Sequence, residues 1–149
     1  MIEHSFTRRD FLAASTAVAS LLSVESARGF QANDTLNVAC LGTGGRSQRI
    51  LMTRLAQIPN TRIAAVCDVW DTNLKAGAKL ADAKAILEDT DFRRLLDRSD
   101  IDAVVIGAPD HWHVPMTIAA CEAGKDVYVE KPLTHDLSEG KAVISAQNK

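Results

Sequence analysis

The stretch Leu36-Asn37-Val38-Ala39-Cys40-Leu41-Gly42-Thr43-Gly44-Gly45-Arg46-Ser47 decides the fold. Its first half is a short, near-continuous apolar run, the pattern of a strand covered on both faces. The run stops at Gly42. Beyond the loop, Ile50, Leu51, Leu55 and Ile58 recur at helical spacing, which predicts a helix over 46–58 that Pro59-Asn60 ends. Between strand and helix lies Gly42-x-Gly44-x-x-Ser47. Gly42 can make the tight turn, and Gly44 lets the backbone approach a pyrophosphate. The third position of such a loop normally takes glycine so that helix and strand pack closely. Ser47 is a small departure, expected to open that packing slightly. The helix N-terminus offers unpaired N–H groups and a positive dipole end to phosphates. Gly42, Thr43, Gly44, Gly45 and Arg46 are therefore candidate cofactor-binding residues. Arg46 has two readings, a phosphate contact or a solvated side chain in the first turn.

Downstream the pattern repeats. Arg62–Cys67 reads as a second strand closing at Asp68, near the offset of about 20 residues at which an acidic residue meets a ribose. A carboxylate there accepts hydrogen bonds from the ribose diol and repels a 2′-phosphate, so NAD is favoured over NADP. The plainer reading of Asp68 is a turn residue. Residues 72–81 are rich in helix formers. Lys84-Ala85-Ile86-Leu87 reads as a short third strand, and Asp91 as the cap of a helix holding Phe92, Leu95 and Leu96. Ile101–Ile106 is a fourth strand. Pro115 suits the first turn of a helix over 114–123, and Gly124 its end. Asp126–Val129 is a fifth strand, and Asp136-Leu137-Ser138-Glu139 has the form of a capping box opening a last helix. Strict alternation of apolar strands and helices implies an α/β fold, a doubly wound parallel sheet of the Rossmann nucleotide-binding type.

Composition narrows the function classes. The 149 residues have room for one domain, 46% are apolar, and a net charge of -2 gives no basic surface for nucleic acid. No window reaches the roughly 18 apolar residues of a membrane span. Cys40, Cys67 and Cys121 sit in apolar runs without metal-ligand spacing and read as buried, unpaired thiols. His111 and His113 flank Trp112, with no acidic or cysteine ligand adjacent, so no metal is expected. The N-terminus is different in kind. Arg8-Arg9-Asp10-Phe11-Leu12, followed by a mild Ala- and Ser-rich apolar stretch to Leu22, resembles a twin-arginine export signal. Residues 1–32 are read as that leader and 36–149 as the nucleotide-binding domain. The leader implies the twin-arginine export machinery as a partner and a periplasmic or extracytoplasmic location. The alternative is an amphipathic first helix.

Two further segments carry a family resemblance: Ala108-Pro109-Asp110-His111-Trp112-His113 after the fourth strand, and Glu130-Lys131-Pro132 after the fifth. With Gly42-x-Gly44 and Asp68, they resemble the glucose–fructose oxidoreductase, inositol dehydrogenase and MocA family. The resemblance implies an NAD(P)-dependent oxidoreductase acting on a sugar, polyol or related carbohydrate by hydride transfer. It places Lys131 beside the nicotinamide ribose and the substrate hydroxyl, as the catalytic residue, with Glu130 positioning Lys131 or the cofactor. Pro109 and His113 are implied to line the nicotinamide side, and the Lys131–Pro132 peptide is often cis in such proteins. Members carry a second α/β substrate domain, so a chain ending at Lys149 is expected to be truncated and inactive alone. A homo-oligomer is expected at full length. Two other classes stay open. One is an NAD-holding module without chemistry. The other is a Rossmann enzyme such as an S-adenosylmethionine-dependent methyltransferase, which has no use for Glu130-Lys131-Pro132.

Overall fold

The apolar run at 36–41 is explained by its place in the computed structural model, which describes residues 35–81 and 87–148. This strand, β1 (Leu36–Leu41), lies in the middle of a five-stranded, all-parallel sheet. The others are β2 (Thr61–Cys67), β3 (Leu87–Asp89), β4 (Ala103–Ile106) and β5 (Asp126–Val129), in the order β3-β2-β1-β4-β5. Successive side chains of a strand face opposite ways. Val38 and Cys40 pack with Leu51, Met52 and Leu74 on one face, and Ala39 and Leu41 with Leu95, Met116 and Ala120 on the other. A strand buried on both sides has no position for a polar residue, so the sequence shows no alternation.

The helices supply the cover. α1 is wound as a π-helix over Ser47–Met52 and runs on into α-helical Thr53–Leu55. With α2 (Asp71–Leu80) it closes the Val38 face. α3 (Phe92–Leu96) and α4 (His113–Glu122) close the Leu41 face. α5 (Gly140–Gln147) packs on α4. The strand order reverses between β1 and β4, the switch point at which open α/β sheets bind ligands beyond their carboxyl ends.

Several boundaries differ from expectation. The first helix stops at Leu55, and 56–58 close as a tighter turn in which Gln57 and Ile58 donate to Arg54 and Leu55 carbonyls. The third strand lies later in the chain, sharing only Leu87 with the expected segment, and Lys84–Ile86 lie outside the described residues. Glu88 and Asp89 are poor strand formers, but pairing with Val66 and Cys67 overrides propensity at this edge. Ile101 and Asp102 run ahead of β4, with Asn37 and Asp102 exchanging two hydrogen bonds of 2.7 and 2.9 Å. The expected caps are present. Asp91 accepts from Arg93 N–H, and Asp136 and Glu139 form the reciprocal capping box. Cys40 and Cys67 are buried and unpaired, whereas Cys121 is only half-buried. The leader reading of 1–32 falls outside the described residues. Among the described residues no helix is long and apolar enough to cross a membrane.

Candidate dinucleotide site

At the carboxyl end of β1 the chain turns through Gly42 at φ +82°, a conformation that disfavours any Cβ. Space forbids one as well, since a Cβ there would lie 2.6 Å from the Ala108 backbone. Gly42 thus lets the loop after β1 touch the loop after β4. Gly44 is different. A Cβ on it would meet nothing closer than Asn73 Nδ2 at 3.8 Å, so packing does not demand glycine. Its bare backbone leaves the loop open to close approach from the cleft, which fits a pyrophosphate. Gly45 is exposed and similarly uncrowded.

The Ser47 expectation is corrected. Ser47 is fully buried, and the packing is tight rather than open. Room comes from Gly107 at the end of β4, where a Cβ would lie 2.6 Å from Ser47 Oγ. The close approach that a third loop glycine would allow is met by a glycine on the opposing strand. Ser47 Oγ has no hydrogen-bond partner. Gly77 performs the same service on α2, for a Cβ there would sit 2.7 Å from Thr43 Cβ. Both glycines escaped the sequence reading because their partners are distant in the chain and no local motif marks them.

Asp68, which follows β2, holds the glycine loop in place. Its Oδ2 accepts from Thr43 N–H at 2.9 Å, and its Oδ1 from Trp70 N–H at 2.9 Å. Longer contacts of 3.4 Å reach Oδ2 from Thr43 Oγ1 and Asn73 Nδ2. The carboxylate therefore ties the glycine loop to the β2–α2 turn, leaving lone-pair capacity mainly on Oδ1. Thr43 is fully buried, and its one hydroxyl proton goes to the nearer acceptor, Asn73 O at 2.9 Å, rather than to Asp68. Its polar groups are spent inside the protein, so its part in the loop is to hold shape.

Two cavities flank this loop. The first, about 340 Å³, is lined by Gly42, Asp68, Phe92, Arg93, Pro109 and Trp112 among others. It is a largely apolar slot beside the ribose carboxylate, suited to a flat heterocycle. Pro109 faces this slot, on the Asp68 side rather than the Lys131 side. The first turn of α3 supplies Phe92 and Arg93, with the guanidinium 4.9 Å above the Phe92 ring and Trp112 edge-on to Phe92 at 6.2 Å. Phe92 was expected in a helix capped by Asp91, with no site role, and Arg93 was not singled out; Phe92 is both a buried core residue and a wall of the slot. The rule that ligands gather beyond strand carboxyl ends was the signal that could have found them.

The second cavity, about 230 Å³, is lined by Arg46, Gly107, Ala108, Asp110, His113, Glu130 and Lys131. Ala108 borders both cavities. Neither reading of Arg46 foresaw its partner. Its Nη2 donates to both Glu130 carboxylate oxygens, at 3.1 and 3.2 Å, tying the glycine loop to the end of β5. The Glu130 side chain is 9% exposed and that of Arg46 52%. His113 is buried, with Nδ1 2.6 Å from Pro132 O and Nε2 2.9 Å from Ala108 O. It spans the two loops that frame the cavity. A neutral imidazole has one N–H, so it can donate to only one of these carbonyls at a time. The Lys131–Pro132 peptide is cis, and Lys131 is exposed at the cavity.

Among the described residues no cluster of three or more His, Cys, Asp or Glu could hold a metal ion. The site instead consists of a bare glycine loop, the Asp68 carboxylate, an apolar slot and a cavity lined by Lys131, gathered at the switch point.

Comparison with known proteins agrees with this arrangement. Residues 36–149 match the GFO_IDH_MocA family model, described as an oxidoreductase family with an NAD-binding Rossmann fold. A glycosyl hydrolase family 109 protein of Saccharopolyspora erythraea is 34% identical over 80% of this chain and 28% of its own length. An NAD binding oxidoreductase from Klebsiella pneumoniae superposes with a TM-score of 0.64 at 30% identity, over 76% of this chain and 32% of its own. The apo scyllo-inositol dehydrogenase of Lactobacillus casei gives 0.68 at 26% identity, over 76% of this chain and 33% of its own. The chain thus spans about a third of the length of the relatives it matches.

Proposed function

The chain belongs to the Gfo/Idh/MocA oxidoreductase family with an NAD-binding Rossmann fold, and from that premise we propose that it is the nucleotide-binding portion of an NAD-dependent oxidoreductase acting on a sugar, polyol or related carbohydrate. The observation that carries the reading is the line-up of the Asp68 slot, the bare loop at Gly44 and the Lys131 cavity across one switch point. When bound, the dinucleotide supplies hydride exchange with a substrate carbon.

The chain's own residues do the rest. Asp68 Oδ1 accepts from the adenosine ribose, and its charge disfavours a 2′-phosphate, so NAD is preferred over NADP. Gly44 and Gly45 lend backbone to the pyrophosphate. Phe92, Pro109 and Trp112 wall the adenine. Lys131 meets the substrate oxygen, where an ammonium stabilises developing negative charge and can pass a proton. Ala108 and His113 wall the cavity in which this occurs. The Lys131 cavity favours an enzyme over a silent binding module.

A second reading of the chemistry comes from the Saccharopolyspora relative, which is named a glycosyl hydrolase. Some glycosidases depend on NAD, so the same site would serve glycoside cleavage without net change of the cofactor. We further propose that residues 1–32 act as a twin-arginine leader delivering the protein outside the cytoplasm. Arg8→Lys with Arg9→Lys, fused to a reporter, is expected to abolish export, and undiminished export would sink that proposal.

Calorimetry with NAD, NADP and S-adenosylmethionine tests the core reading on the chain itself. NAD is expected to bind most tightly, and S-adenosylmethionine binding alone would overturn it. Turnover belongs to a protein of the relatives' length. There, NADH formation on sugars or polyols supports dehydrogenation. Release of a glycoside's leaving group without NADH accumulation supports cleavage. Lys131→Ala is expected to lower either rate by a hundredfold or more, in the range about 10²–10⁴ for general acid–base groups.

A further inference from the structure

Lys131 is flanked in sequence by a carboxylate, and the chain spends a separate residue on keeping that carboxylate occupied. Glu130 is nine-tenths buried at the rim of the Lys131 cavity. A carboxylate in such a place takes the cation within reach. Two side-chain cations line this cavity, Arg46 and Lys131, and the ring nitrogens of His113 are committed to the Ala108 and Pro132 carbonyls. Arg46 takes the position, with one nitrogen bridging both Glu130 oxygens. No hydrogen bond or ion pair joins Lys131 to any described residue.

We infer that Arg46 is a positioning residue for Lys131: by holding the Glu130 carboxylate, it keeps the neighbouring ammonium unpaired and available to a substrate oxygen. The inference rests on Lys131 being the group that meets substrate. It gives the arginine of the glycine loop a duty at the far end of the site. Its charge is set against Glu130 rather than against a phosphate. Remove Arg46, and the one cavity-lining ammonium left for Glu130 is Lys131. Remove Glu130, and Arg46 stands unneutralised in the cavity it shares with Lys131. The two removals therefore push Lys131 in opposite directions, and removing both cancels.

The test reads Lys131 directly. The full chain is labelled with trinitrobenzenesulfonate at fixed pH, which reacts with the unprotonated amine, and the rate at Lys131 is resolved by mass spectrometry. Arg46→Met is expected to slow labelling about tenfold, the effect of one unit of pairing with a carboxylate. Glu130→Gln is expected to speed it. The double variant is expected to return to within about twofold of the wild type, the signature of coupled neighbours. Arg46→Lys, which keeps the charge and perturbs packing least, is expected to label near the wild-type rate. A merely structural arginine predicts that both single variants accelerate labelling by loosening the loop. That result, unchanged rates, or Arg46→Lys behaving like Arg46→Met would overturn the inference. NAD is titrated into the wild type in parallel. Absence of binding there would overturn the functional reading, while the labelling cycle still decides whether Arg46 sets the state of Lys131.

Discussion

At the scale of single residues, one carboxylate holds the loop and is proposed to hold the ribose. Asp68 was legible as a candidate ribose acceptor because an acidic residue ending the second strand is a local signal. Its hold on Thr43 N–H was not, because that bond joins residues from separate loops and leaves no pattern in either. The dual role sharpens what a substitution does. Asp68→Asn puts an amide where an ionised acceptor met two backbone N–H groups. We expect NAD affinity to fall about tenfold, as for loss of a charged hydrogen bond, and the preference over NADP to narrow, both read by calorimetry. Equal losses for the two cofactors would mean that Asp68 serves the loop alone. Arg46 teaches the same lesson from the other side. Its position in the loop was plain in the sequence. Its partner, 84 residues away, was not.

At the scale of elements, the strands and caps were readable where they rest on local chemistry, and the helix contacts were not. Periodicity located β1, β2, β4 and β5. The capping box at Asp136 predicted where the last helix begins. Hydrogen bonds from Ser138 hold the Asp136 carboxyl below the usual range. The sign follows from that direction. The cap's contribution is present above the ordinary carboxylate value of about 3.9 and is lost as pH falls through the lowered folded value. Amide protection factors in α5, with the intrinsic pH dependence of exchange divided out, are expected to fall severalfold on acidification through that window. Asp136→Ala is expected to show the lowered protection already at neutral pH. A pH-independent protection factor in α5 would count against the cap. Contacts between elements needed the structure. Gly77 lets α2 sit against Thr43, and Gly77→Ala, with a Cβ 2.7 Å from another side-chain carbon, is expected to cost about 1–3 kcal/mol of overpacking, measured by urea unfolding. An unchanged midpoint would show that α2 can shift without cost.

At the scale of the whole molecule, the sequence implied a parallel sheet through alternation, and the structure adds that its two faces close separately. Leu36–Lys149 forms one compact unit. Cys40 is sealed into one face, and Cys67 is buried in the other at the wall of the Asp68 slot. Burial pushes both thiols up to about 12, Cys67 with added repulsion from Asp89 and its acidic neighbours. Thiolates are the reactive form. Alkylation of Cys40 near neutral pH is therefore expected only through unfolding, with Cys67, at the wall of the Asp68 slot, reacting sooner and the half-buried Cys121 first. Mass spectrometry of iodoacetamide-treated protein reads all three. Labelling of Cys40 ahead of Cys67 would count against this order.

The exchange of crowding between Ser47 and Gly107 reaches beyond this fold's mechanics to how such chains are found. A text search for three spaced glycines passes over this loop, because the last of them stands on another strand. In this chain the two positions share one volume. Ser47→Gly combined with Gly107→Ser would restore the familiar spelling while keeping that volume filled.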